Sequence, residues 1–219
     1  MPAKIKICGS AHPRRSMRPS RRGRTMPGWC SIQRRPVRVT SNVAGALTSR
    51  AAGQIAMVGL FVDADDAVIA DALVAAKLNA LQLHGSESPE RVAQLRARFG
   101  KPVWKALPVA SASDVARAAA YAGAADLILF DAKTPKGALP GGMGLAFDWS
   151  LLAGYRGALP WGLAGGLNPT NVAEAIARTG APLVDTSSGV ESAPALPARD
   201  GSIFISAQRS ISFEADFTP

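Results

Sequence analysis

Four side chains capable of acid-base or nucleophilic chemistry stand at or near the ends of short apolar runs. Cys8 follows Lys4-Ile5-Lys6-Ile7, His84 follows Leu81-Gln82-Leu83, Asp131 follows Leu127-Ile128-Leu129-Phe130, and Asp185 lies within Leu183-Val184-Asp185-Thr186. A thiol in such a place serves as a base or a nucleophile, or packs as a small apolar group. A carboxylate ending a wholly apolar run acts as a general acid or caps the following loop. His84 either lines a substrate pocket or is satisfied by nearby backbone. The residue types alone leave these alternatives open.

A second group of residues suits an anion. Gly165-Gly166-Leu167-Asn168-Pro169 follows one apolar run, and Thr186-Ser187-Ser188-Gly189 follows the next. Glycine lets backbone N–H groups approach an anion closely, and serine hydroxyls add donors. Gly165, Gly166, Ser188 and Gly189 are therefore candidate phosphate ligands, with ordinary turns as the alternative.

These residues need a scaffold that gathers strand ends, and the chain has the pattern of one. Apolar, β-branched runs at 55–62, 80–84, 102–107, 127–131, 161–165 and 183–187 alternate with helical periodicity at 65–77, 88–99, 113–121 and 169–179. Alternation of this kind specifies βα units and a parallel sheet. Ser88-Pro89 and Asn168-Pro169 each place a capping side chain before a proline at the first helical position. Gly180 is a stop for the last helix. Residues 4–8 add a seventh strand, and closure requires an eighth between 9 and 54. The expectation is one α/β domain over 1–219, a (β/α)8 TIM barrel with its catalytic groups at the C-terminal ends of the strands. The loop 133–146, with Gly137, Gly141, Gly142 and Gly144, has the length of a mobile cover over that face, or of a solvated loop without function.

Composition narrows the class further. The net charge of +9 arises entirely at one end: residues 1–62 hold twelve basic groups and no acid, while 63–219 hold thirteen basic against sixteen acidic. A nucleic-acid-binding arm usually carries lysine and aromatic platforms, whereas 10–40 has one Trp and no Tyr or Phe, so nucleic acid is not expected as a partner. A transit peptide is also Arg-rich, yet a strand and Cys8 precede this segment. No apolar run approaches a membrane span, and a cytoplasmic location without membrane contact is expected. The two cysteines, Cys8 and Cys30, form neither a disulfide framework nor a metal-type spacing.

Taken together, Lys4-Ile5-Lys6-Ile7-Cys8-Gly9, Val58-Gly59-Leu60-Phe61-Val62, Leu81-Gln82-Leu83-His84-Gly85, Leu129-Phe130-Asp131-Ala132-Lys133, Leu163-Ala164-Gly165-Gly166-Leu167-Asn168-Pro169 and Val184-Asp185-Thr186-Ser187-Ser188-Gly189-Val190-Glu191 resemble the phosphoribosylanthranilate isomerases of tryptophan biosynthesis. The resemblance covers 55–194 and the first nine residues. It implies an Amadori rearrangement of N-(5-phosphoribosyl)anthranilate, with Asp131 as acid and Cys8 as base. It also implies a phosphate held by Gly165, Gly166, Ser188 and Gly189, Asp185 within reach of the sugar, and no metal or organic cofactor. The implied partner is a small phosphorylated substrate, bound by a monomer or homodimer.

Two stretches depart from the family pattern. After Gly9 the family continues with an Ala-rich helix, a strand and a Ser-Pro-Arg loop whose arginine meets the anthranilate carboxylate, and none of these is legible in 10–40. Rereading 13–37 in another frame with G/C-rich codons permits all three, and compensating frameshifts with the frame restored near residue 40 are the expected origin of the segment, a genuine basic arm being the alternative. Arg35 and Arg38 lie near the expected position but lack its context, and neither is assigned the role. The tail 195–219 shows a weak Ile203-Phe204-Ile205 run in place of a closing helix. A barrel lacking its second strand and first helix is expected to lose closure and a large share of its burial. Among rival activities, an indole-glycerol-phosphate synthase requires a catalytic lysine, for which Lys105 is the candidate. A metal-dependent epimerase requires more histidines than His12 and His84.

Overall fold

The computed structural model describes residues 3–7, 56–133 and 147–187, and the backbone of 204–210. Seven parallel strands appear where the apolar runs predict them: β1 (Lys4–Ile7), β2 (Ala56–Phe61), β3 (Ala80–Leu83), β4 (Val103–Val109), β5 (Leu127–Ala132), β6 (Trp161–Leu163) and β7 (Leu183–Thr186). An additional strand, β8 (Phe204–Ser210), completes a closed barrel in the order β1-β7-β6-β5-β4-β3-β2-β8.

Closure differs from the expectation in both source and direction. The strand between β1 and β2 comes from the tail, and it runs antiparallel to both neighbours, pairing Lys4 with Ser210 and Ala56 with Gln208. Without β8 the facing edges of β1 and β2 would leave their N–H and C=O groups unpaired, and β8 supplies those hydrogen bonds whichever way it runs. The weak run in the tail is thus a strand, and the barrel retains its closure. Residues 8–55, including Cys8 and the Arg-rich segment, lie outside the described residues, as do the expected cover 134–146 and the stretch 188–203.

The helices pack outside the strands: α1 (Asp66–Ala76), α2 (Pro89–Phe99), α3 (Ala112–Ala116) and α4 (Val172–Thr179). The start of α2 is as the sequence specifies. Ser88 Oγ accepts from Arg91 N at 3.3 Å, Pro89 fills the first turn, and Gly100 ends the helix at φ +59. The start of α4 is not. Asn168 Oδ1 accepts from Thr170 N at 2.9 Å and from Thr170 Oγ1 at 2.6 Å, so Asn168 closes a tight side-chain turn and the helix begins only at Val172. The helix expected over 113–121 divides, with α3 tightening into a 3-10 turn over Arg117–Tyr121.

Strand alternation sorts the side chains into two cores. Phe61, Leu81, Leu83, Leu107, Ile128 and Phe130 face the helices and are at most 1% exposed. Burying each contributes about 1.5–3 kcal/mol. Phe130 also meets Tyr155 and Trp161 edge-on, with ring centroids 5.1 and 5.9 Å away. Inside the barrel, Val58, Ala80, Trp104 and Leu183 form one cluster, and Ala106, Leu129 and Ala164 another. Two residues further along their strands, Ala80 gives way to Gln82, Leu129 to Asp131 and Leu183 to Asp185. The interior therefore turns from apolar to polar toward the C-terminal mouth.

Candidate active site

Asp131 occupies the penultimate position of β5, where Oδ1 accepts from the N–H of Ala132 at 2.8 Å. Its other oxygen, Oδ2, lies 3.2 Å from His84 Nε2. His84 is carried immediately beyond β3, where its N–H donates to Phe61 O at 2.8 Å. The imidazole is thus engaged by a carboxylate rather than by backbone. Its Nδ1 lies 3.4 Å from Gln82 Nε2, so Gln82 of β3 meets the ring at its second nitrogen.

Gly165 belongs to the same constellation. Its φ is +89, and a Cβ placed there would lie 2.6 Å from Ala132 N and 3.1 Å from Asp131 Oδ1. Only glycine permits this approach of the β6 end to the carboxylate. Beyond it, Gly166 also has positive φ, at +63. Thr186 Oγ1 donates to Leu167 O at 2.6 Å, which ties the end of β7 to the Gly-Gly turn. The turn after β6 and the end of β7 are thereby adjacent, while Ser188 and Gly189 lie outside the described residues.

Asp185, at 7% exposure, forms an ion pair with Lys6, whose Nζ donates to Oδ2 at 2.6 Å across the β1–β7 seam. Burial pushes the Asp185 carboxyl above the usual carboxylate range, Lys6 opposes this, and the neighbouring Asp131 charge reinforces it. Asp185 Oδ1 and Gln82 Oε1 are buried, and neither has a hydrogen-bond partner among the described residues. An orphaned acceptor of this kind costs about 1–3 kcal/mol unless a ligand hydroxyl or water meets it.

Sequence reasoning overlooked a second polar cluster, which holds the His84 loop. Glu87 is 6% exposed; its Oε1 accepts from Asp63 N at 2.9 Å, and its Oε2 from Gly85 N at 3.0 Å and Lys105 Nζ at 3.1 Å. Lys105 also donates to Leu83 O and Gly85 O, at 3.3 and 2.8 Å. Burial depresses Lys105 below the usual lysine range, and the charge of Glu87 partly offsets this. Being one residue from the interior-facing Trp104, Lys105 projects toward the helices, so the lysine that rival chemistry would need is committed to holding a loop. Tyr121 Oη adds a bond to Glu87 O at 2.9 Å. The signal available in the sequence was Glu87 itself, an acid immediately before a helix cap.

Among the described residues no helix is long and apolar enough to cross a membrane. Residues 5–195 match the family model for N-(5'phosphoribosyl)anthranilate (PRA) isomerase. Relatives named N-(5'-phosphoribosyl)anthranilate isomerase include one from Rhodospirillum centenum, 49% identical across 89% of this chain and 92% of its own. Another, from Paramagnetospirillum magneticum, is 47% identical across 91% and 94%. The solved phosphoribosyl anthranilate isomerase of Thermotoga maritima superposes with a TM-score of 0.61 at 36% identity, over 71% of this chain and 73% of its own. A phosphoribosyl anthranilate isomerase solved with reduced 1-(o-carboxyphenylamino)-1-deoxyribulose 5-phosphate superposes with a TM-score of 0.59 at 34% identity, over 71% of each chain. The barrel, its acid–imidazole pair and these matches across nearly the whole length agree, and the chain belongs to the N-(5'-phosphoribosyl)anthranilate isomerase family.

Proposed function

We propose that this chain catalyses the Amadori rearrangement of N-(5-phosphoribosyl)anthranilate to 1-(2-carboxyphenylamino)-1-deoxyribulose 5-phosphate in tryptophan biosynthesis. The observation that carries the proposal beyond family membership is the 3.2 Å contact between His84 Nε2 and Asp131 Oδ2 at the barrel mouth, beside the Gly165-Gly166 turn. Asp131, loaded with a proton through this pair, protonates the furanose ring oxygen; the C1–O bond breaks and the nitrogen lone pair forms the C1=N Schiff base. A base then removes the C2 proton, and the C2–H electrons move toward the iminium to give the enolamine. Proton gain at C1 and loss from the C2 hydroxyl complete the aminoketose.

Cys8 is assigned the base on sequence grounds: it lies two residues after Lys6, whose side chain faces the interior beside Asp185. Gly165, Gly166, Ser188 and Gly189 would hold the phosphate. The Oδ1 of Asp185, without a partner among the described residues, would accept from a sugar hydroxyl. Because the Schiff base is its own electron sink, the chemistry calls for no metal or organic cofactor. The same proposal includes a single domain over 1–219, acting in the cytoplasm as a monomer or homodimer, without nucleic acid or membrane partners.

Loss of substrate fluorescence, followed for the unaltered chain, Asp131→Ala and Cys8→Ser, tests the assignment. The unaltered chain is expected to consume substrate, Asp131→Ala to lose that activity, and Cys8→Ser to bind without turnover. Equal rates for the unaltered chain and Asp131→Ala would remove the acid.

A further inference from the structure

One buried ammonium holds the backbone on both sides of His84. Lys105 Nζ donates to Leu83 O at 3.3 Å and to Gly85 O at 2.8 Å, the carbonyls that flank the histidine in sequence. Its other acceptors are Glu87 Oε2 at 3.1 Å and Ala106 O at 3.0 Å. An ammonium has three N–H donors, so these acceptors occupy it fully and leave none for a substrate. Glu87 completes the clamp, accepting from Gly85 N through Oε2 at 3.0 Å and from Asp63 N through Oε1 at 2.9 Å. The two side chains are 2% and 6% exposed.

The loops held in this way are tightly constrained. Asp63 has φ +46, a left-handed conformation uncommon outside glycine, and a Cβ on Gly85 would lie 2.5 Å from Asp63 Cγ. Such strain persists only where the surroundings over-determine it. An apolar pair in place of Lys105 and Glu87 would stabilise the fold about as well, because two buried charges lose hydration that their attraction barely offsets. It could not bind Leu83 O, Gly85 O and Gly85 N around the histidine. Lys105 also stands on β4 opposite Leu83 of β3 and Ile128 of β5, between the strand that leads to His84 and the strand that bears Asp131. The 3.2 Å approach of His84 Nε2 to Asp131 Oδ2 is therefore set across β4, from a fixed point on β4 itself.

We propose that Lys105 and Glu87 are positioning residues for the acid–imidazole pair: together they fix the approach of His84 to Asp131, and neither touches the substrate. Their effect on turnover rests on the isomerase function proposed above, whereas their effect on the imidazole itself stands apart from it.

Steady-state kinetics on a set of combined variants tests the proposal. Glu87→Gln with Lys105→Met is expected to regain stability that Glu87→Gln alone loses, yet to lower kcat by roughly tenfold at unchanged KM. Added to His84→Ala, the same two substitutions should lower kcat no further, since they act through a side chain already absent. A double variant as fast as the unaltered chain would make the ion pair purely structural, and losses that multiply with His84→Ala would route its effect elsewhere; either result overturns the proposal. Tyr121→Phe removes the 2.9 Å bond from Oη to Glu87 O and keeps the ion pair, so it gives the same comparison, at a few-fold loss, if the double variant does not fold. The sequence has two histidines, His12 and His84, and the ring 15N resonances of His84 supply a readout independent of turnover. If the unaltered chain consumes no substrate, the isomerase function fails; a His84 resonance displaced in the double variant or in Tyr121→Phe still upholds the positioning role, and an unmoved one defeats it.

Discussion

Gly165→Ala, compared with Gly180→Ala, isolates the contact between the β6 turn and the acid. Both glycines have left-handed backbone, at φ +89 and +71, so both substitutions incur the conformational cost of a Cβ there, about 1–2 kcal/mol. At Gly180 nothing lies within 4 Å of the added atom, and the cost ends there. At Gly165 the new Cβ would be 2.6 Å from Ala132 N and 2.7 Å from Ala132 Cβ, both on the strand that carries Asp131. Relieving that overlap adds about 1–3 kcal/mol. Urea titration should therefore show losses of about 1–2 kcal/mol for Gly180→Ala and about 2–5 kcal/mol for Gly165→Ala. Because Asp131 Oδ1 would be only 3.1 Å from the new atom, the shift should also misplace the acid, lowering kcat by roughly 100-fold if the displacement approaches an ångström. Gly180→Ala should keep its kcat. The reasoning is refuted if the two variants are equally stable and equally fast, or if Gly165→Ala raises KM while leaving kcat untouched.

Further outcomes follow from the other buried polar groups. His84→Ala, which leaves Asp131 without its 3.2 Å partner, should lower kcat by about 10–100-fold with little change in KM; an effect on KM alone in steady-state kinetics would remove His84 from the proton path. Glu87→Gln leaves the buried Lys105 without a counter-charge and should cost about 3–5 kcal/mol, and adding Lys105→Met should recover part of that loss in a double-mutant cycle. Burial raises Asp185 in the folded chain, so the native state holds that proton more tightly than the unfolded state. The resulting stabilisation is complete below the unfolded carboxyl value of about 3.9 and is lost as pH rises through the higher folded value. Asp185→Asn should flatten that part of the stability–pH curve measured by urea midpoints, and an unaltered slope would show that another group sets it.

The parallel strands were legible because a buried strand must be a short apolar run whatever surrounds it. Asp131 and His84 were legible as strand-end residues, but their pairing was not, since it depends on β3 and β5 flanking β4 in a curved sheet. Lys6 illustrates the same limit: alternation with Ile5 and Ile7 suggests a solvated face, yet its partner Asp185 lies 179 residues away and becomes visible only once β1 and β7 are in register. Two similar signals, Ser88-Pro89 and Asn168-Pro169, led to different outcomes because Asn168 bonds to Thr170 and closes a turn where Ser88 caps a helix. The tail strand was only faintly marked, because β8 pairs with whichever edge is open and thus depends on features elsewhere in the chain.

The placement of β8 orders events during synthesis. β1 precedes every other described strand in the chain, but both of its hydrogen-bonded neighbours, at 183–186 and 204–210, follow β6. The central ladder from β2 to β6 can assemble while the nascent chain is still growing, whereas β1 must wait with its edges open. The cylinder closes only once 204–210 has been made, and this delay places an aggregation hazard at β1.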